Sequence, residues 1–532
     1  MVCAAQPLAV AAGVDVLRDG GSAVDAAIAT NACLAVVEPT SCGLGGDLFA
    51  MLWDPTLGRL VGFNGSGRAP RALTRERITP ESDGTISLRS PASWTVPGCV
   101  DGWSALHARY GRVPLERLLA PAIAHARDGF AVTPVIAGEW ARGAQVVGGM
   151  PGFADVFLVD DGAGRRAPRT GERFRNPALA MTLEQIAEGG ADVFYRGPIA
   201  AAIVRYSEAG GGAFAQGDFA SHASTWDEPI RADYRGVTLW ELPPNGQGLA
   251  ALQLLQLLER LDGFGALAFD EPERWHLMVE AKKLAYGDRA RWYADPAFAS
   301  VPVEALLAPD YAEERARRVD RERAAGTDAP GDPLALARRE TTYLATADRD
   351  GMMVSWIQSN YTGFGSGHVV PELGFGIQNR GALFALDPAH PNALVPGKRP
   401  FHTIIPAFIT RAGQPLVAFG LMGGDMQAQG HAQIVCDLVD FGLDLQQAGN
   451  APRFHHVGSS EPTGTRMAGG GIVQLEAAVP AAVRHDLEQR GHRVDVAPPG
   501  AFGGYQAVGR DPASGRYAGA SEPRKDGCAR GL

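Results

Sequence analysis

A mixed α and β globular fold is predicted for this 532-residue chain by three observations. Apolar residues make up 45% and charged residues 20%, the balance of a folded globular protein rather than a disordered one. Segments with three- and four-residue apolar spacing alternate with β-rich runs, and glycine or proline turns separate them. No internal repeat, heptad seam or low-complexity tail interrupts that alternation. The length allows about three domains at roughly 100–200 residues each.

The elements follow in order. Residues 8–18 (LAVAAGVDVLR) have helical periodicity and stop at Gly20-Gly21, where a left-handed cap is expected. Ser22 begins a second helix with Asp25 as its capping-box partner, running through AAIATNACLAVVE to Pro39. SCGLGGDLFAMLWD reads as a glycine turn and a strand, and GRLVGFNGSGRAP pairs with it as a hairpin. PLERLLAPAIAHARDGF is an amphipathic helix ending at Gly129. PPNGQGLAALQLLQLLERLDGFG and EPERWHLMVEAKKLAYGDRARWYADP are two more, with Trp275, Met278, Val279 and Ala285 on one core-facing stripe of the second. After the charged run at 313–325, GTDAPGDPLALARRE lacks periodicity and is the best break in the chain. TTYLATAD and MMVSWIQS then flank a turn at Asp350-Gly351, a hairpin signal. Farther on, the strand QPLVAFGLM precedes the helix QAQGHAQIVCDLVDFG.

Composition also excludes function classes. With 49 basic and 59 acidic residues the formal charge is −10, so no general cationic field attracts nucleic acid or an anionic membrane. Cys3, Cys33, Cys42, Cys99, Cys436 and Cys528 form no CxxC pair and read as small hydrophobes rather than disulfide or zinc ligands. The N-terminal stretch lacks a basic segment followed by an apolar core, and no run approaches the ~18 apolar residues of a membrane span. A cytoplasmic location is the expectation.

Familiar catalytic signatures are missing: no HExxH, Walker A, GxSxG or EF-hand loop is present. The twelve histidines show no metal-ligand spacing, and His455-His456 on a strand would face opposite ways, so neither a metal nor a cofactor is expected. Two glycine loops stand out. SNYTGFGSGH (359–368) brings backbone amides close to any ligand beside it. FGLMGGDMQAQGHAQ places Gly423-Gly424 between a strand and a helix, where amides at the positive end of a helix dipole suit an anion or oxyanion. Thr341 follows the irregular stretch and opens a strand, which is either ordinary β propensity or a concealed N-terminus.

The motifs GGSAVDAAIA, GLGGD, VPGCVDGW, PAIAHARDGF, PPNGQG, VEAKKLAYGDRARW, ETTYLATADRDG, GFGSG, LMGGDMQAQGHAQ and NAPRFHH occur in the order found in γ-glutamyltranspeptidase-like proteins. The sequence resembles that family along essentially its whole length. The resemblance implies an α+β fold, the four-layer αββα sandwich of the N-terminal nucleophile hydrolases. It also implies a precursor that cleaves itself between Glu340 and Thr341, leaving a large chain 1–340 and a small chain 341–532 that together build one composite domain. The two chains would associate as a heterodimer, with a dimer of these left open. The freed α-amine of Thr341, with a reference pKa of about 7.7–8.0, would act as base for its own hydroxyl. Gly423 and Gly424 would hold the oxyanion, an effect of roughly 3 kcal/mol per donor. Ser359 matches a second hydroxyl that assists the nucleophile.

Departures from the family pattern bear on substrate. Where relatives clamp a γ-glutamyl α-carboxylate with arginine, this sequence has Ser66, with Arg68 two residues later. Tyr361, beside Asn360, replaces an asparagine. Leu383 replaces the acid expected to bind the α-amino group, and His402-Thr403 replaces a serine pair. A glutamyl zwitterion needs an anion for its ammonium, and that anion is lost. Arg68, Arg380 and His402, with Asn379 and Asn360, leave a cationic or neutral surround, more like the branch of oxamate amidohydrolases and cephalosporin or glutaryl acylases. The expected activity is hydrolysis of a small anionic amide. A γ-glutamyltransferase or glutathione hydrolase with a rebuilt clamp is the alternative, and a non-catalytic scaffold the remote one.

Overall fold

The computed structural model describes residues 1–327 and 342–532, and Glu340 and Thr341 lie outside those residues. The first sheet is built from β1 (Val2–Ala4), β2 (Asp47–Asp54), β3 (Arg59–Gly65), β4 (Thr225–Asp227), β7 (Thr342–Ala347), β8 (Met353–Ser359) and β13 (Cys528–Arg530). Its order is β13-β1-β7-β8-β2-β3-β4. The second contains β5 (Ile230–Tyr234), β6 (Val237–Glu241), β9 (Ala407–Arg411), β10 (Gln414–Met422), β11 (Gly504–Arg510) and β12 (Tyr517–Ser521), ordered β12-β11-β10-β9-β6-β5. Every neighbouring pair in both sheets is antiparallel. Each sheet draws strands from both sides of the 340/341 boundary, so neither part of the chain completes a sheet alone.

Three apolar clusters define four layers. On the outer face of the first sheet, Leu48, Leu52, Leu344 and Trp356 pack under α1 (Pro7–Arg18), α2 (Ala23–Val37), α3 (Leu115–Asp128), α4 (Pro134–Val147) and α5 (Pro177–Tyr195). Between the sheets, Phe49, Met51, Tyr343, Ala345 and Ile357 meet Ile404, Phe408, Ala418 and Val508. On the far face of the second sheet, Ile409, Val417, Phe419 and Leu421 pack under α6 (Gly248–Arg260), α7 (Pro272–Trp292) and α8 (Met426–Val439). This is the αββα sandwich. Both faces of each central strand are covered, so β7 and β8 are buried at every position and show no polar alternation.

Local chemistry explains the expected elements. Ser22 and Asp25 form the reciprocal capping box at the start of α2, and Gly20 takes φ +89° before it. The two expected hairpins form, β2 with β3 and β7 with β8. Helix α7 departs from a simple stripe: Trp275, Met278, Val279 and Ala285 are buried, but so are His276, Glu280, Lys282, Lys283, Asp288 and Arg289 on its other faces. The cysteines are free, five of them buried. Among the described residues no helix is long and apolar enough to cross a membrane.

Gly420 of β10 sets how closely the sheets approach. A Cβ there would lie 2.4 Å from the Tyr343 ring, and Tyr343 is fully buried. Gly420→Ala should therefore push Tyr343 and β7 aside at a cost of about 1–3 kcal/mol. A lowered denaturant midpoint with an unchanged m-value is the expected outcome.

Candidate active site

The site gathers where β8, β10 and the loops after them converge at one end of the sandwich. Gly423 and Gly424 connect β10 to α8 with φ of +119° and +63°, a left-handed pair that residues with a side chain rarely adopt. Among the described residues neither amide donates a hydrogen bond, although the Gly423 and Gly424 carbonyls accept from Met426 N and Gln427 N. Two amides released from secondary structure at the start of a helix can hold developing negative charge. Gly423 is partly accessible.

A buried chain of polar groups fixes this turn. Gln247 Nε2 donates to the carbonyls of both Gly424 and Thr403 at 2.7 Å, and Gln247 Oε1 accepts from Arg289 Nη1 at 2.6 Å. Arg289 in turn pairs with Glu461 at 2.8 Å and lies 3.8 Å above the Tyr286 ring. Thr403 Oγ1 accepts from Arg380 Nη1 at 2.7 Å, and the Arg380 guanidinium sits 4.4 Å from the centre of the Tyr361 ring. Arg380, Thr403, Gln247 and Arg289 are all fully buried. The structure thus brings Tyr361, Arg380, Thr403 and Gly424 into one connected group.

Ser359 ends β8, and its Oγ accepts from Tyr361 N at 2.8 Å, holding Tyr361 at φ +82° with its ring under Arg380. Asn360 donates its backbone amide to Ser41 O at 3.2 Å, while its buried Oδ1 has no hydrogen-bond partner among the described residues. Asn379 spends its side chain within the loop, donating to Thr362 Oγ1 at 2.6 Å and Leu88 O at 3.1 Å.

His402 is not a cation here. Its Nε2 donates to Asp47 Oδ2 at 3.0 Å, and its Nδ1 accepts from Ile404 N at 3.4 Å, which fixes a neutral tautomer. Burial, with Arg380 and Arg399 nearby, holds its pKa well below the ordinary value. Burial pushes the Asp47 carboxyl up to about 6, opposed by hydrogen bonds from Gln378, Gly67 and Gly98 and by the charge of Arg380. Asp47 is thus an anion at neutral pH, directly across from Ser359 in the β2/β8 register.

Arg68 joins a different group. It is half-buried, donating to Gly397 O at 3.3 Å and lying 3.6 Å from Asp295 Oδ2. Ser66 is locked by Asn64 and Asn245, and its carbonyl accepts from Arg399 Nε at 3.1 Å. Leu383 is a core residue packed against the second sheet. Asp47, Gln247 and Arg289 lie inside quoted motifs, and Arg399 lies three residues before His402, but none of them stands out from sequence alone. Their signal was polar residues in segments that otherwise read as core, which only the partners make legible.

Among the described residues one cluster of side chains is close enough to hold a metal, and the adjacent histidines do not join it. His455 lies 3.4 Å from Asp425, whereas His456 on the opposite face contacts Lys282 Nζ at 3.1 Å and Gly470 O at 2.8 Å. His276, Glu280 and His492 come within 4.8 Å of one another. Their atoms are already engaged: the two imidazoles share a 2.8 Å hydrogen bond and Lys283 Nζ lies 2.7 Å from Glu280.

A family model described as Gamma-glutamyltranspeptidase matches residues 9–532. The chain belongs to the γ-glutamyltranspeptidase family. It is 36% identical over 541 residues to the glutathione hydrolase-like YwrD proenzyme of Bacillus subtilis, covering 100% of this chain and 98% of that one. It is 37% identical over 545 residues to the oxamate amidohydrolase proenzyme of Klebsiella pneumoniae, again covering 100% and 98%. The crystal structure of a cephalosporin acylase from Bacillus halodurans superposes with a TM-score of 0.89 at 44% identity, covering 99% of this chain and 94% of that one. Fold and family together make this protein an N-terminal nucleophile amidohydrolase of the γ-glutamyltranspeptidase type.

Gln247 is the hinge of the polar chain. Gln247→Ala would leave the Thr403 carbonyl and Arg289 Nη1 without this partner, costing about 1–3 kcal/mol per unsatisfied group, and would leave the Gly424 carbonyl with Gln427 N alone. Because Gly424 is one of the groups it holds, kcat should fall by a larger factor than KM rises, as steady-state kinetics would show.

Proposed function

We propose that the protein is a self-processing amidohydrolase whose nucleophile is Thr341, acting on a small amide that carries a negative charge. Cleavage between Glu340 and Thr341 gives chains 1–340 and 341–532, which remain together as a heterodimer because each sheet contains strands from both. The freed α-amine takes the Thr341 hydroxyl proton, the oxygen attacks the amide carbonyl, and Gly423 and Gly424 hold the tetrahedral oxyanion. Collapse of that intermediate expels the amine with a proton returned from the α-ammonium, and water then hydrolyses the acyl ester. Ser359 is the second hydroxyl of the site.

The observation that carries this reading is the pair of amides at Gly423 and Gly424, left without acceptors among the described residues and pinned by Gln247. Support for the substrate class comes from Arg380 within the connected group, flanked by Asn360, Asn379, Tyr361 and Thr403. Neutral His402 and apolar Leu383 supply no anion for an ammonium. The oxamate amidohydrolase and cephalosporin acylase relatives agree with an anionic amide. The glutathione hydrolase-like relative keeps a second reading in play, in which Asp47 beside Arg380 serves a γ-glutamyl group.

Two measurements decide. Purified wild-type protein should resolve into two fragments with the smaller beginning at Thr341 by mass spectrometry, whereas Thr341→Ala should stay as one chain without activity. An uncleaved wild type, or an active Thr341→Ala variant, overturns the reading. In a panel of amides, oxamate or glutaryl amides should exceed a γ-glutamyl anilide in kcat/KM. Arg380→Ala should reduce that kcat/KM by about 10²-fold, the loss expected for removing a charge-assisted contact of roughly 3 kcal/mol.

A further inference from the structure

A second buried carboxyl touches the same strand from the helix side. Glu38 ends α2, is fully buried, and accepts a hydrogen bond on Oε2 from Thr342 Oγ1 at 3.0 Å. Thr342 is the first residue of β7 and the next in sequence after Thr341. The other Glu38 oxygen, Oε1, is buried without a hydrogen-bond partner among the described residues. A helix-capping role does not account for it, because the cap is made by the Glu38 backbone amide to Leu34 O. The carboxyl is aimed instead at the strand.

The titratable groups around it come from three other places in the fold. Lys525, in the turn before β13, forms an ion pair with Glu139 of α4, whose Oε2 accepts from Thr40 Oγ1 at 3.4 Å. Two buried carboxyls, Glu38 and Glu139, therefore face one ammonium, and Glu139 is the one in direct contact with it. The Cys42 thiol also faces Glu38 and is held neutral by burial, its pKa raised well above the ordinary value. Burial pushes the Glu38 carboxyl up to about 7, with Lys525 opposing, Glu139 adding, and the hydrogen bond from Thr342 opposing.

Strand β7 is held from both faces. Thr342, Leu344 and Thr346 point to the helix layer, where Thr346 Oγ1 donates to Ala23 O at 2.7 Å. Tyr343, Ala345 and Ala347 point to the second sheet. Glu38 supplies the polar contact on the helix side nearest the strand's start.

We propose that Glu38 is a positioning residue for the nucleophile, holding the start of β7, the strand that follows position 341, through the Thr342 hydroxyl. The proposal rests on the reading of Thr341 as nucleophile. When Glu38 is ionised, Thr342 donates a charge-assisted hydrogen bond to it and the strand start is fixed. When Glu38 is protonated, that bond weakens and the strand start is held less firmly.

Two variants separate these effects. Glu38→Gln keeps a hydrogen-bond acceptor for Thr342 and removes the titration, and Glu38→Ala removes both. In wild type, kcat should fall on the acid side in two steps, one from the Thr341 α-amine and one through about pH 7 from Glu38, and Glu38→Gln should keep the first and lose the second. Glu38→Ala should slow both precursor cleavage and turnover by about 10-fold or more, since small misplacements of reacting groups are costly. Stability gives a separate readout with its sign fixed. The raised folded-state pKa means that Glu38 contributes stability below its unfolded value near 4.3, and that contribution is lost as pH rises through about 7. The melting temperature of Glu38→Gln relative to wild type should therefore increase from pH 5 to pH 8. Normal cleavage and an unchanged kcat profile in both variants would overturn the role of Glu38 alone. If Glu38→Ala does not fold, the Glu38→Gln profile decides by itself. An uncleaved wild type would overturn the nucleophile reading and this proposal with it.

Discussion

The site depends on how closely two antiparallel sheets are pressed together. Tyr343 of β7 lies across Gly420 of β10 because glycine leaves room for the ring, and a polar thread crosses the interface with it. Tyr343 donates to Ser355 Oγ at 2.7 Å, and Ser355 donates to Phe419 O at 3.2 Å. The strand that follows position 341 and the strand that ends at Gly423-Gly424 are thereby tied together at neighbouring points. A nucleophile and an oxyanion hole need sub-ångström relative placement, and packed sheets provide it better than loops do. The helix layers then fix the outer faces, with Glu38 on one side and Gln247 and Arg289 on the other.

Charge within the site is set by burial more than by composition. The chain as a whole is acidic, yet the connected group beside Gly424 contains Arg380 and Arg289, while the imidazole at position 402 is neutral. Asp47 supplies an anion near Arg380 but spends one oxygen on His402 and the other on two backbone amides and Gln378. Leu383, where the family pattern expects an acid, is part of the apolar core. On the proposed reading, this balance favours an acyl group with a carboxylate and no ammonium, because a buried ammonium without a partner is costly.

Much of the architecture was legible in the sequence, and the reasons differ by element. The capping box at Ser22 and Asp25, the glycine stop at Gly20 and the β7/β8 turn are local chemistry, so short stretches encode them. Gly423-Gly424 was legible because only glycine suits consecutive left-handed positions between a strand and a helix. The four-layer arrangement was reached through motif order rather than periodicity, since strands buried on both faces lose their alternation. Arg68 illustrates the limit: two residues of sequence separated it from the expected position, but its side chain turns to Asp295 and Gly397. Asp47, Gln247, Arg289 and Glu38 escaped because a buried polar residue takes its meaning from partners tens or hundreds of positions away. The expected cleavage point, Glu340 and Thr341, falls outside the described residues, so its support is the surrounding frame.

The central claim is that Thr341 carries the acyl group while Gly423 and Gly424 stabilise its formation. Intact-mass and peptide analysis of enzyme quenched with acid during turnover of a slow anionic amide tests it directly. The account predicts a fragment beginning at Thr341 that is heavier by the acyl group, with the adduct on that first residue. Product formation with Thr341 unmodified, or an adduct on any other residue, would contradict it.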